Sequence, residues 1–201
     1  EDMIHHAKAV TRASQKAHVV VDMPFMTYQA SPIEALHNAA RLVQATGCQA
    51  VKMEGGRPIA STVQRVVEAG IPVMGHLGLT PQSIHQLGGY RVQGRQLEVA
   101  RKLWEDALAL VAAGVYAIVL ECVPARLAEW MSRKLPVPII GIGAGAGCDG
   151  QVLVIHDLLG WTVAGPTPKF VKRYAELQNQ VQDALRSYAE EVRQGQFPGP
   201  E

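Results

Sequence analysis

The sequence has few aromatic residues and no excess of charge of one sign. Aromatic residues make up 5% of the 201 residues, and 19 Lys and Arg against 18 Asp and Glu leave a formal net charge of +1. Nucleic-acid binding is therefore not indicated, because it relies on clustered cations and aromatic stacking platforms. The longest apolar stretches, such as residues 107–120, are shorter than the roughly 20 residues of a membrane-spanning helix. With 48% hydrophobic residues, we expect a soluble globular protein.

Cysteine is also scarce, and its spacing indicates no disulfide framework or zinc site. The three cysteines, Cys48, Cys122 and Cys148, are far apart and form no CxxC pair. The first residues contain no apolar signal region. Both features favour a reducing compartment, so we expect a cytoplasmic protein.

Short apolar runs alternate with amphipathic segments along the chain. One amphipathic segment has the start and stop signals of a helix: Ser31 as N-cap, Pro32 at the first helical position and Gly47 as left-handed cap. Strands are predicted over residues 19–21, 50–54, 71–76, 115–121, 137–141 and 151–155, and further helices over 59–69, 96–113, 124–134 and parts of 169–194. Since parallel neighbours need crossover helices, the alternation predicts a parallel sheet in an α/β fold.

Two α/β architectures share this pattern, the open doubly wound sheet and the closed (β/α)8 barrel. A complete barrel normally needs eight βα units and about 250 residues. Six units in a chain that begins inside a helix predict a TIM barrel lacking its first two βα units. We therefore expect a single barrel domain over residues 1–201, N-terminally incomplete, with C-terminal helices from about residue 169.

The first four predicted strands end in ionisable residues. Asp22 ends the first, Lys52 and Glu54 the second, His76 the third and Glu121 the fourth. Taken singly, each has an ordinary explanation as a loop hydrogen bonder, an ion-pair partner or a structural histidine. Four consecutive strands with this feature favour one shared site, because ligands of parallel α/β folds bind at the carboxyl ends of the strands and buried charges are otherwise costly.

The residue types at these ends suit one kind of chemistry. Asp22 and Glu54 are oxygen donors without a Cys or His cluster beside them, which favours Mg²⁺. Lys52 offers a cation to a substrate carboxylate or a developing enolate, and Glu121 is a candidate general base. Together they predict proton abstraction next to a carbonyl group, followed by carbon–carbon bond formation.

A glycine-rich segment, residues 141–146, formally matches a dinucleotide-binding fingerprint. That fingerprint must open a helix, whereas here the apolar run 152–155 follows. We interpret the segment as a tight turn at which substrate approaches the backbone.

Six motifs in order resemble the ketopantoate hydroxymethyltransferase (3-methyl-2-oxobutanoate hydroxymethyltransferase) family. They are residues 22–26 (DMPFM), 51–56 (VKMEGG), 75–83 (GHLGLTPQS), 88–95 (GGYRVQGR), 120–124 (LECVP) and 140–145 (IGIGAG). The resemblance implies a (β/α)8 barrel of the phosphoenolpyruvate-mutase type. It implies transfer of a hydroxymethyl group from methylene-tetrahydrofolate to 3-methyl-2-oxobutanoate through a Mg-stabilised enolate, giving 2-dehydropantoate in pantothenate biosynthesis.

The resemblance also implies roles for individual residues. Asp22 and Glu54 match Mg²⁺ ligands, with Asp22 also at the keto acid. Lys52 matches a substrate-binding lysine, His76 a histidine of the substrate pocket and Glu121 the proton acceptor. The implied partners are a keto acid and a folate, with no nucleic acid and no membrane. Family members form homodecamers, so we expect a homo-oligomer.

One family feature has no match in this sequence, an Asp-Ser pair on an early strand that helps hold metal and keto acid. Residues 1–4 resemble the family's helix after its second strand. Either the sequence is incomplete, or the chain is inactive as it stands. We expect incompleteness, because an open barrel would expose unpaired strand edges.

Three alternatives stay open from the residues. A different metal-dependent lyase or mutase would use the same strand ends on another substrate. A Schiff-base aldolase would use Lys52 as its nucleophile. A non-catalytic paralogue would only assemble with intact subunits.

Overall fold

The computed structural model describes residues 1–161 and 167–200 of the chain. It contains two compact units, residues 1–151 and residues 152–201. The first unit is an α/β structure built on one parallel sheet. The sheet strands are β1 (Val20–Asp22), β2 (Ala50–Glu54), β3 (Val73–Gly78), β4 (Ala117–Glu121), β5 (Ile139–Ile142) and β6 (Gly150–Gln151).

The strands pair in parallel in the order of the chain, β1 to β6. A doubly wound sheet would reverse its order at a switch point, so the sequential order is that of a barrel wall. The helices of this unit are α1 (Asp2–Ala13), α2 (Pro32–Thr46), α3 (Ala60–Glu68), α4 (Ile84–Leu87), α5 (Leu97–Ala112) and α6 (Ala125–Lys134). Two 3₁₀ turns, Arg57–Ile59 and Pro81–Ser83, precede α3 and α4.

Helix α2 forms where its start and stop signals predict it. The hydroxyl oxygen of Ser31 accepts hydrogen bonds from the N–H groups of Ile33 and Glu34, and Gly47 ends the helix with φ of 73°. These contacts satisfy amide groups that a helix end otherwise leaves unpaired.

The two faces of β2 divide the core from the site. Val51 and Met53 are fully buried in the apolar core with residues of the helices, whereas Lys52 and Glu54 alternate with them on the other face. Neighbouring β3 approaches α5 closely, since a Cβ on Gly75 would lie 2.8 Å from a methyl carbon of Leu110. The charged face of β2 therefore lies outside the apolar core.

The last predicted strand is wrong over most of its length. In this region only Gly150–Gln151 joins the sheet, where it pairs with β5. Ile155 instead begins helix α7 (Ile155–Leu159). An apolar run this short does not distinguish a strand from a helix. The flanking Val152 and Val154 are about half exposed, so the run is not a buried strand.

The second unit contains α7 and one long polar helix, α8 (Leu177–Arg193), within the predicted C-terminal helical region. Residues 162–166, which include part of the segment before that region, lie outside the described residues. In the part of the chain that the structure describes, no helix has both the length and the apolar character needed to span a bilayer.

Candidate active site

The strand register brings the ionisable strand ends to one edge of the sheet. Asp22 lies opposite Lys52 across β1 and β2, and Glu54 lies opposite His76 across β2 and β3. Glu121 lies opposite Gly78 across β3 and β4. Residues that are opposite in a parallel pair present their side chains on the same face, so the five side chains converge.

At the level of atoms, the five side chains form a continuous series of polar contacts. Lys52 Nζ lies 3.0 Å from Asp22 Oδ1 and 3.1 Å from His76 Nδ1. The same Nδ1 atom of His76 lies 3.6 Å from Glu54 Oε1. The other ring nitrogen, His76 Nε2, lies 3.2 Å from Glu121 Oε2. All five residues predicted from the sequence therefore lie in one cluster.

His76 is the centre of this cluster and is almost wholly buried. A lysine ammonium only donates hydrogen bonds, so Nδ1 of His76 is the acceptor from Lys52, and a neutral ring then carries its proton on Nε2. That Nε2 atom lies near Glu121 but outside hydrogen-bond geometry, and it has no hydrogen-bond partner among the described residues. A small shift of the Glu121 carboxylate would pair the two groups.

The carboxylates differ in how far they are removed from water. The side chain of Glu54 is 8% exposed, that of Glu121 16% and that of Asp22 52%. Burial raises the pKa of Glu54, against the lowering effect of a hydrogen bond from the Gln82 N–H and of the nearby His76 and Lys52. The negative charge of Asp22 also raises this pKa, though less than burial does.

Two residues that the sequence analysis missed hold Glu54 in place. The backbone N–H of Gln82 donates to Glu54 Oε2 at 2.9 Å, and the Gln82 side-chain amide donates to the carbonyl of Met23 at 2.9 Å. The hydroxyl of the fully buried Tyr28 accepts from the Glu54 N–H at 3.0 Å and lies 2.8 Å from Gln82 Oε1.

Neither residue ends a strand, so neither could be predicted from the strand ends. Tyr28 lies in the loop after β1 and Gln82 in the 3₁₀ turn after β3. The only available signal was that Gln82 falls within the motif at residues 75–83. Burial also raises the pKa of Tyr28, which keeps its hydroxyl protonated and able to donate.

A family model described as ketopantoate hydroxymethyltransferase matches residues 1–200. The chain belongs to this family. It is 58% identical over 98% of its length to the 3-methyl-2-oxobutanoate hydroxymethyltransferase of Carboxydothermus hydrogenoformans, and 58% identical over its whole length to that of Moorella thermoacetica. It spans 71% and 74% of those two proteins. The predicted family and enzyme class, a hydroxymethyltransferase, are thereby confirmed.

Comparison with solved structures bears on the fold. The crystal structure of a protein described as a candidate phosphonomutase from Burkholderia cenocepacia matches 96% of this chain and 76% of its own, with a TM-score of 0.55 and 15% identity. At that identity the likeness concerns the fold alone. A parallel α/β sheet curled as part of a barrel is confirmed for this hydroxymethyltransferase, while the absence of two preceding βα units stays a prediction.

The donor set of the site suits a metal that binds few protein ligands. Asp22 and Glu54 supply hard oxygen atoms at adjacent strand ends, and no group of three or more His, Cys, Asp or Glu side chains within residues 1–161 and 167–200 is arranged to hold a metal. Mg²⁺ is commonly bound through one or two carboxylates, with water and substrate oxygens completing its octahedron. The pair therefore fits Mg²⁺ and does not fit a closed structural metal site.

Proposed function

We propose that this site transfers a hydroxymethyl group from methylene-tetrahydrofolate to 3-methyl-2-oxobutanoate and forms 2-dehydropantoate in pantothenate biosynthesis. The observation that carries the proposal is the contact series from Asp22 through Lys52 and His76 to Glu54 and Glu121. It sets a cation, an exposed carboxylate and a candidate base within reach of one small molecule. The 3-methyl-2-oxobutanoate in the names of the relatives is such a molecule.

The charge of the site supports a divalent cation as a second component. Three carboxylates, those of Asp22, Glu54 and Glu121, surround the one ammonium of Lys52. A keto-acid anion would be repelled by this charge at short range unless a cation bound with it. Residues Asp22 and Glu54 would hold that cation, which we propose is Mg²⁺. When bound, Mg²⁺ would draw electron density from the keto group and so acidify the neighbouring C–H bond.

Lys52, Glu121 and His76 have separate roles toward the substrate. Lys52 binds the carboxylate of the keto acid and keeps it beside Asp22. Glu121 accepts the proton from C3 of the keto acid, and His76, whose Nε2 faces Glu121, stabilises the position of that carboxylate. C3 then forms a bond to the methylene carbon and both bonds from that carbon to folate nitrogens break, while water supplies its OH group to the same carbon. The two folate nitrogens take up the proton removed from C3 and the remaining proton of the water, so that tetrahydrofolate is released.

Further features of the proposal extend beyond the site. We propose that the residues form part of a single (β/α) barrel domain, that the enzyme acts in the cytoplasm and that it assembles as a homo-oligomer. Its partners are the small-molecule keto acid and the folate, with neither nucleic acid nor membrane required.

A direct assay tests the proposed reaction. The protein carrying these residues is incubated with 3-methyl-2-oxobutanoate, methylene-tetrahydrofolate and Mg²⁺, and 2-dehydropantoate is quantified by mass spectrometry. We expect product, its loss on chelation with EDTA and its return when Mg²⁺ is restored. Turnover that survives EDTA, together with borohydride trapping of the substrate on Lys52, would instead support the Schiff-base alternative. Absence of product from the Mg²⁺-loaded protein contradicts the proposal.

A further inference from the structure

A cavity of about 600 Å³ lies on the loop that joins α4 to α5, lined by residues between Leu87 and Val99. The loop is fixed to the active-site strand by one backbone hydrogen bond. The N–H of Gln93 donates to the carbonyl of Cys122 at 2.8 Å, and Cys122 directly follows the proposed base, Glu121. The loop that lines the cavity is therefore bonded next to the strand end that carries Glu121.

Packing at Gly94 holds the same loop against two helices. A Cβ at this buried glycine would lie 2.9 Å from methyl carbons of Leu103 and Leu127. Its φ of 87° is also a conformation that glycine adopts without strain. The base of the loop is thus anchored, while its outer residues face the cavity and solvent.

The side chains around the cavity have a shared chemistry. Arg91 and Arg95 are exposed, and within the described residues neither guanidinium forms a hydrogen bond or an ion pair. Tyr90 is 79% exposed and follows two glycines with left-handed backbone, Gly88 and Gly89. Two guanidinium groups and an aromatic face together suit an aromatic ligand that carries carboxylates.

We propose that this cavity binds the p-aminobenzoyl-glutamate tail of the folate donor. Tyr90 stacks on the benzoyl ring, and Arg91 and Arg95 pair with the two carboxylates of the glutamate. The inference rests on the proposed function, since it assumes a folate donor whose methylene carbon reaches the substrate near Glu121. The hydrogen bond from Gln93 to Cys122, the residue after that base, sets the cavity-lining loop beside the strand end that carries Glu121. The reacting end of the donor would then enter the site while the anionic tail stays outside its negative charge.

Binding and kinetics of arginine variants test the assignment. Affinity for tetrahydrofolate is measured by calorimetry in the wild type, R91Q, R95Q, the double variant and R65Q, a control at an exposed arginine of α3 outside the cavity. Loss of one charge-assisted pair is expected to weaken binding roughly tenfold. In turnover by the cavity variants, KM for methylene-tetrahydrofolate is expected to rise by a similar factor, while kcat and KM for the keto acid stay within about twofold of the wild type. For the control R65Q, all of these values should stay within about twofold of the wild type.

A second pair of variants tests the aromatic contact. Y90A is expected to weaken tetrahydrofolate binding roughly fivefold, whereas Y90F keeps the ring and the affinity. Unchanged affinity in the R91Q/R95Q double variant, or an equal rise in KM for the keto acid, overturns the proposal. The outcomes also separate the two claims. A wild type that binds tetrahydrofolate through these arginines but yields no 2-dehydropantoate contradicts the proposed function alone, and one that does not bind tetrahydrofolate contradicts both.

Discussion

Individual side chains in this site are placed by neighbours that themselves contact no substrate in the proposed reaction. Glu54 is the clearest example, because its carboxylate is held by the Gln82 N–H and its backbone by the hydroxyl of Tyr28. The five ionisable residues were predictable because each lies at the carboxyl end of its strand or within two residues of it. Tyr28 and Gln82 were not, since their contacts depend on how two separate loops fold over β2, which no local pattern encodes.

Removing the Tyr28 hydroxyl tests this positioning role. In Y28F the buried N–H of Glu54 loses its acceptor, which is expected to lower the free energy of unfolding by about 1–2 kcal/mol. With Glu54 less well oriented, kcat should fall roughly tenfold, with a smaller change in KM for the keto acid. Steady-state kinetics and urea denaturation measure the two effects.

Tyr116 provides the matched control for that variant. Its hydroxyl oxygen lies 3.0 Å from His18 Nε2. Both residues lie just before their strands, β1 and β4, at the ends away from the candidate site. Y116F therefore also removes one hydroxyl contact but should leave kcat unchanged. A Y28F enzyme with the kinetics of Y116F would show that Tyr28 does not position Glu54.

At the scale of elements, the close approach of β3 and β4 determines where Glu121 lies. Gly78 ends β3 opposite Glu121, with φ of 90°, and a Cβ there would lie 2.2 Å from the carbonyl oxygen of Glu121. The alternation of strands and helices was predictable from apolar periodicity and helix caps. Four strands begin one or two residues later than predicted, because apolar residues such as Val19 and Val115 are buried before the strand without joining it.

The substitution G78A is expected to disrupt this junction. A methyl group in contact with backbone cannot be relieved by a side-chain rotation, so we expect a loss of at least about 3 kcal/mol in unfolding free energy. The control is G88A, at a glycine with φ of 69° and no atom within 4 Å of the added Cβ. There only backbone strain of about 1–2 kcal/mol applies. Equal melting temperatures of the two variants would contradict the account.

A second junction lies between β5 and the loop that follows it. Asp149 Oδ2 accepts from the Ile139 N–H at 2.9 Å and from the Ser132 hydroxyl at 2.7 Å. These bonds lower the pKa of Asp149 below its ordinary value of 3.8. A lowered folded-state pKa means that the stabilisation is complete above that ordinary value and is lost as pH falls through the folded-state pKa.

The variant D149A should therefore show a pH-dependent loss of stability. At pH 7 the loss is expected to be about 0.5–1 kcal/mol, given the exposure of the carboxylate, and it should diminish as the solution is acidified below pH 3.8. Urea denaturation at several pH values measures it, with the exposed Glu68→Ala as control. A difference between D149A and wild type that stays constant with pH would rule out the carboxylate as the source.

At the scale of the whole molecule, a barrel-type sheet order gathers residues that lie up to a hundred positions apart in sequence. Since β1 to β4 are consecutive neighbours, their carboxyl ends form one edge, and a site predicted from four strand ends appears as one cluster. The end of the sheet was not predictable, because the apolar run at 152–155 looks like a strand and instead leads into α7.

The central claim is that these strand ends make one site in which Glu121 removes a proton from the keto acid. The most direct measurement is exchange of the C3 proton of 3-methyl-2-oxobutanoate with solvent D₂O, followed by ¹H NMR in the presence of Mg²⁺ and without folate. The wild type should catalyse the exchange, and E121Q should lose it by at least roughly a hundredfold while still binding the keto acid. Exchange by E121Q at the wild-type rate would contradict the account.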